Sequence, residues 1–241
     1  MAKAMGLDAI AITDHDTPSH LNQLPLVAGL RVVGGVEISA VHRRTNTIAH
    51  VLGYRIQEPG FVSTLTQPLL EARNATSEKQ ADILIRAGYR IDMDRIGRAD
   101  GKYLYKQHIL DWLVTTGQVA DMYGAFYQKT FKNGGICDFH TAYNDVFEAV
   151  EAIKKAGGLA VLAHPGQQQN LWLVRELVEL GLDGLELHHH ANSPEDKEAI
   201  RAHAHAYHLF LTGGSDYHGK YEPHCIGDFL SDESGVDAVL R

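Results

Sequence analysis

Cysteine is nearly absent from the chain, with only Cys137 and Cys225 in 241 residues, which excludes a disulfide framework. No apolar run approaches the length of a membrane-spanning helix. The N-terminal stretch MAKAMGLDAI carries neither the basic segment nor the long apolar core of a secretory signal. An excess of positive charge is missing too: 22 Lys and Arg stand against 30 Asp and Glu, for a formal charge of −8. That balance excludes a surface built to coat nucleic acid, while leaving room for a small cationic pocket that takes one phosphate. These absences predict a cytoplasmic protein with neither duplex nucleic acid nor a membrane as partner. At 44% hydrophobic and 22% charged residues, the chain can bury a sizeable core, as one large α/β domain or a domain carrying an insertion. Fifteen histidines is a high count for this length, and no terminal tag accounts for them.

Apolar runs that read as strands alternate with helical periods. Candidate strands are Leu7–Thr13, Leu30–Ile38, Ile48–Ile56, Leu159–Ala163, Gly184–Leu187 and Leu209–Thr212. Helical stretches such as Val146–Ala156 and Leu171–Leu180 lie between them, the second stopping at Gly181. Strand, helix, strand in succession predicts parallel βα units. From about Pro59 to Asp138 the pattern turns helical, most clearly over Leu69–Ala87, Leu104–Thr116 and Met122–Phe131, which predicts a helical insertion.

Ionisable residues gather where these strands end. The first run, IAITDHDT, leaves the core at Asp14, His15 and Asp16. Taken alone, this is equally a capped turn in which Asp14 or Asp16 accepts helix amides and His15 is solvated. The pattern recurs, however: Glu37 in GGVEIS, His50 in IAHVLGY, His164 in AVLAHPG, and Asp216 and His218 in GGSDYHG. In parallel α/β barrels the C-terminal strand ends converge on one face, where chemistry is usually found. Burying several imidazoles and carboxylates together costs several kcal/mol unless they pair or bind metal. Imidazole and carboxylate without thiolate suits zinc, manganese or iron, and one Glu can bridge two ions about 3.5–4 Å apart.

The motifs TDHDT, GVEIS, HVLGY, GLAVLAHPG, GLELHHHANSP and GSDYHG, in this order, resemble those of the PHP family, named for polymerase and histidinol phosphatase domains. More narrowly, the chain is similar to the bacterial metal-dependent phosphoesterases that include exoribonuclease AM and the 3′,5′-nucleotide bisphosphate phosphatases. The resemblance implies a distorted (β/α)7 barrel holding up to three divalent ions. Residues 1–58 and 139–241 would form the barrel and residues 59–138 the inserted helices. It makes Glu37 a bridge that shares one ion with His50 and His164 and a second with Asp216, and it gives His15 and His218 to a third. The family opens with a strand carrying Asp-x-His-x-His, and no such motif occurs in this chain. The fold is therefore expected to lack that first strand and to hold fewer ions, with impaired activity and an open barrel edge through which the chain could form an oligomer.

Hydrolysis of a small phosphorylated substrate, a nucleotide, by metal-activated water is the reaction the resemblance implies. Asp14 and Asp16 would orient His15 or a neighbouring ligand, or accept protons from water. The family's Arg-x-His phosphate pair corresponds to Lys106 and His108, so a point charge replaces a planar fork. After the strand ending in Leu187, alternation predicts that His188 faces the pocket as a substrate contact while His189 turns away. Two alternatives stand beside this reading: another hydrolase of the fold, such as a histidinol phosphatase or an amidohydrolase, and a non-catalytic metal- or nucleotide-binding domain.

Overall fold

Strict alternation in RVVGGVEISAVH builds the longest strand, β2 (Arg31–His42), and sends Val36, Ile38 and Ala40 to one face and Glu37 and Ser39 to the other. It belongs to a seven-stranded, curled half-barrel sheet with β1 (Ala9–Ile12), β3 (Thr47–Tyr54), β4 (Asn144–Asp145), β5 (Leu159–Leu162), β6 (Leu182–His188) and β7 (Phe210–Gly213). Strand order is β1-β2-β3-β5-β6-β7, with β4 beside β2. The computed structural model describes residues 1–98, 101–221 and 223–241. These divide into two units, Met1–Gln67 with Tyr143–Arg241, and Pro68–Ala142.

In the first unit, where the short α5 (Pro165–Gln168) follows β5, helices α4 (Val146–Lys155), α6 (Val174–Glu179) and α7 (Pro194–Tyr207) cover one face of the sheet. Val150, Ile153, Leu177 and Ile200 pack there on Ile38, Leu162, Leu185 and Leu187, each fully buried. Such a side chain contributes roughly 1.5–3 kcal/mol of transfer free energy. The helix starts are fixed by side chains: Asp145 accepts the Phe147 N–H at 2.9 Å, and Ser193 and Asp196 exchange bonds at the start of α7. The opposite face carries a smaller cluster of Leu52, Tyr54, Val161 and Ala163. Beside it lie the polar side chains described below.

β1, β2 and β4 run parallel, as do β5, β6 and β7, but β3 runs antiparallel to both β2 and β5. β3 departs from the expected parallel βα units because the loop of residues 43–46 is too short for a crossover. Asn46 takes a left-handed φ of 57°, and the Thr45 and Asn46 amides donate to the His42 carbonyl, reversing the chain as a hairpin. His50 consequently stands within a strand rather than at its end. On the far side of the sheet, Ser231 and Ser234 accept the Gly213 and Leu211 amides, and α8 (Glu233–Leu240) packs along β7. Their hydroxyls occupy donors that an edge strand would otherwise expose. Gly235 is required there, since a Cβ would run into the Leu211 carbonyl oxygen.

The second unit holds most of α1 (Pro59–Arg86), then α2 (Lys106–Thr115) and α3 (Ala125–Thr130). Leu84, Leu104, Ile109, Leu110 and Leu113 are fully buried in it. Gln80 donates to the Cys137 carbonyl at 2.7 Å, tying α1 to the segment after α3. Among the described residues no helix is long and apolar enough to cross a membrane.

Candidate metal centre

Two backbone bonds carry the β1–β2 ladder past its last regular pair. Asp16 N–H donates to the Glu37 carbonyl at 2.8 Å and Glu37 N–H to the Asp14 carbonyl at 3.2 Å, placing His15 beside Glu37. In the β2–β3 hairpin, His50 pairs with Ser39 and Leu52 with Glu37, so Glu37 and His50 are diagonal neighbours on one face. His50 Nδ1 lies 2.7 Å from Glu37 Oε1. From the end of β5, His164 brings its Nε2 to 3.2 Å of the same oxygen. His164 has φ 26°, sparsely populated backbone, and its N–H donates to Glu186 Oε2 at 2.9 Å.

The remaining imidazoles extend this group. Ring centroids of His15 and His50 are 5.2 Å apart, as are those of His50 and His164, and His218 stacks on His15 at 5.8 Å. Asp216 Oδ1 meets His218 Nε2 at 3.0 Å, while Oδ2 faces His189 Nε2 at 3.4 Å. Burial pushes the Glu37 carboxyl upward, but the charge of His15 and the bonds from His164 and His50 outweigh it and hold the group well below its ordinary value. Burial pulls His164 down, and its bond to Glu37 more than reverses this, raising it to about 9. Asp216 is held low by His189 and His218 against the upward push of burial. In Glu186, burial prevails and the carboxyl is raised.

This donor set fits a cation. One ligand atom each from His15, Glu37 and His50 lies within 4.8 Å of the others. Among the described residues His164 Nδ1 has no hydrogen-bond partner although it is buried, an unsatisfied donor-acceptor atom of the kind that a bound cation would satisfy. His15 and His164 flank the Glu37–His50 pair, each with its ring centroid 5.2 Å from that of His50.

Several expected contacts fall elsewhere. Asp14 is exposed with Oδ2 3.4 Å from His20 Nδ1, and Asp16 is buried with Oδ1 accepting the Ser39 N–H at 2.8 Å. His15 Nδ1 lies 3.2 Å from the Ser39 hydroxyl. His188 and His189 exchange the roles alternation predicts: His188 Nε2 bonds Asp232 at 2.8 Å, and His189 is fully buried against His164. The reason is a register shift between Glu186 and His188, after which the chain no longer alternates as a strand. Lys106 and His108 lie at the start of α2 in the second unit, where Lys106 Nζ sits 5.7 Å from the Tyr127 ring centroid and His108 Nδ1 accepts the Tyr105 N–H at 3.0 Å. Sequence reasoning missed Ser39, Glu186 and His189. Only Glu186 had left a signal, as the lone charge among the apolar residues of GLEL.

No protein-family model matches the chain. The phosphoribosyl 1,2-cyclic phosphate 1,2-diphosphodiesterase of Eggerthella lenta is 40% identical to it, over 91% of this chain and 86% of that protein. The chain belongs to the PHP family. A second PHP relative, the 5′-3′ exoribonuclease Rnm of Escherichia coli, is 30% identical over 100% of this chain and 85% of its own length. Among solved structures, a Bifidobacterium adolescentis protein described as a candidate metal-dependent phosphoesterase superposes with a TM-score of 0.87 at 28% identity, covering 99% of this chain and 87% of that one. This PHP chain is accordingly a metal-dependent phosphoesterase that uses a divalent cation and acts on phosphorylated substrates.

Proposed function

We propose that the enzyme hydrolyses terminal phosphate esters of small nucleotides, namely 3′,5′-bisphosphonucleotides or short oligoribonucleotides. The observation that carries this reading is the convergence of His50 and His164 on one oxygen of Glu37, with His15 alongside. Glu37, His50 and His164 would hold one ion, Asp216 would share a second with Glu37, and His15 and His218 would hold a third. Imidazole and carboxylate donors without thiolate favour manganese, zinc or iron. Bound divalent ions lower the pKa of water and neutralise the phosphoryl oxygens as charge develops.

Within residues 59–138, taken as the inserted segment, Lys106 supplies a positive charge for the terminal phosphate. His108 accepts the Tyr105 amide at Nδ1, which leaves Nε2 to donate a hydrogen bond. An exoribonuclease among the relatives supports a ribonucleotide, and the net charge of −8 disfavours extended duplexes. A cytoplasmic site of action suits such substrates. Among the described residues β1 pairs with β2 on one side, and its other side would serve as an edge for a second copy, which sedimentation would detect as a dimer.

The deciding assay offers the Mn²⁺-loaded protein 3′,5′-bisphosphoadenosine, a short oligoribonucleotide, a ribose cyclic phosphate and an N-acyl amide. Phosphate or nucleotide release from the first two, abolished by chelator, is the expected result. Turnover of the amide alone would overturn the phosphoesterase reading. Turnover of the cyclic phosphate alone would overturn the choice of substrate.

A further inference from the structure

His189 stands in the connection after β6, where nothing in its strand pattern predicts an inward side chain. The turn is held by Asn192, which donates to the Glu186 and Leu187 carbonyls at 3.0 and 3.1 Å and accepts the Gly166 N–H at 2.9 Å. With the chain clamped in this way, the His189 ring is fully buried. Its Nδ1 accepts the Ala191 N–H at 3.1 Å, which puts the ring proton on Nε2, and Nε2 faces Asp216 Oδ2 at 3.4 Å. An imidazole so committed has no lone pair to give a cation; it has a proton to give a carboxylate. The other oxygen of that carboxylate, Oδ1, meets His218 Nε2 at 3.0 Å, so His189 is the fully buried ring that fixes Oδ2.

We propose that His189 is a positioning residue that aims the Asp216 carboxylate at its cation by donating from Nε2 to Oδ2. The inference rests on the reading of Asp216 as a metal ligand. Groups that hold ligands in place are typically worth 10- to 100-fold in metal affinity, roughly, when removed.

Chelator-stripped protein titrated with Mn²⁺ tests this without reference to turnover. His189→Leu, folded by circular dichroism, should weaken one class of Mn²⁺ site by about 10- to 100-fold. His189→Gln, whose amide can donate to Oδ2, should recover most of that loss, and His189→Met gives the same contrast where His189→Leu does not fold. In an Asp216→Ala background, His189→Leu should change Mn²⁺ binding no further. Parental affinity in His189→Leu, or equal weakening in His189→Gln, would overturn the proposal. Retention of every class of Mn²⁺ site in Asp216→Ala would overturn the ligand reading instead, so the two failures are distinct.

Discussion

Glu37 and His50 face each other diagonally across the β2–β3 hairpin with Oε1 2.7 Å from Nδ1, and His164 approaches that same oxygen from β5 at 3.2 Å. A single carboxylate oxygen on β2 thus meets a ring nitrogen from its neighbour β3 and another from the end of β5, a strand with which β2 does not pair. This concentrates negative charge where three imidazoles present their nitrogens.

Replacing that oxygen isolates its role. Glu37→Gln keeps size and hydrogen-bonding capacity but removes the charge, so it should lower metal content and cut phosphate release more than about 100-fold, beyond the effect of losing a supporting group. Elemental analysis of the dialysed variant beside its activity checks this. A variant with full metal content and undiminished rate would show that Glu37 does not hold the ion.

Glu186 acts one step back, through the His164 backbone. Glu186→Leu leaves the buried His164 N–H without its acceptor, costing roughly 1–3 kcal/mol and loosening the strained turn that presents the ring. Glu186→Gln retains an acceptor oxygen and should be much milder. Urea unfolding separates the two; equal destabilisation would mean that charge rather than the hydrogen bond matters.

The reach of the sequence has a physical boundary here. Strand positions were readable because alternation and apolar runs are local, and β5 and β7 form within a residue or two of their expected spans. The ligand candidates were readable because ionisable side chains stand out against apolar strands. Helix α1 begins at Pro59, ten residues before its clearest stretch at Leu69, and carries Pro68 inside it. The antiparallel course of β3 was hidden because strand direction follows from a four-residue loop rather than from the strand itself. His189 was misread because a register shift at Glu186 ends the period of two on which the reading depended. Ser39 was invisible because its partner, His15, is 24 residues away.

Protonation should couple to both stability and metal binding. In the metal-free fold His164 is raised from 6.5 to about 9, so its contribution to stability is fully present below about pH 6.5 and is lost as pH rises through about 9. Glu37, held low, contributes above its ordinary value of 4.5 and loses that contribution as pH falls through its lowered one. The urea midpoint of chelated protein should therefore fall from pH 7 to pH 9.5. Metal binding requires the neutral imidazole, so it should tighten over the same interval and release a proton. Calorimetry in two buffers of different ionisation enthalpy measures that proton. A flat midpoint across the interval would remove the Glu37–His164 pair as a source of stability.

Lys106 offers the clearest test of substrate recognition. Burial lowers His108, and its Nδ1 accepts the Tyr105 N–H, so in the proposed site it would offer a neutral donor at neutral pH and Lys106 would supply the charge. Lys106→Ala should raise KM for a bisphosphonucleotide about tenfold, equivalent to about 1.4 kcal/mol, with kcat little changed, because the lost attraction acts on the bound phosphate before and during reaction alike. The loss should shrink at high salt, which screens the charge in the parent enzyme. Lys106→Arg should preserve affinity or improve it, since a guanidinium adds the bidentate geometry that an ammonium lacks. Steady-state kinetics at two salt concentrations distinguish these outcomes. If Lys106→Ala leaves KM unchanged at both, the phosphate is bound elsewhere, and Lys106 is a surface residue resting near Tyr127.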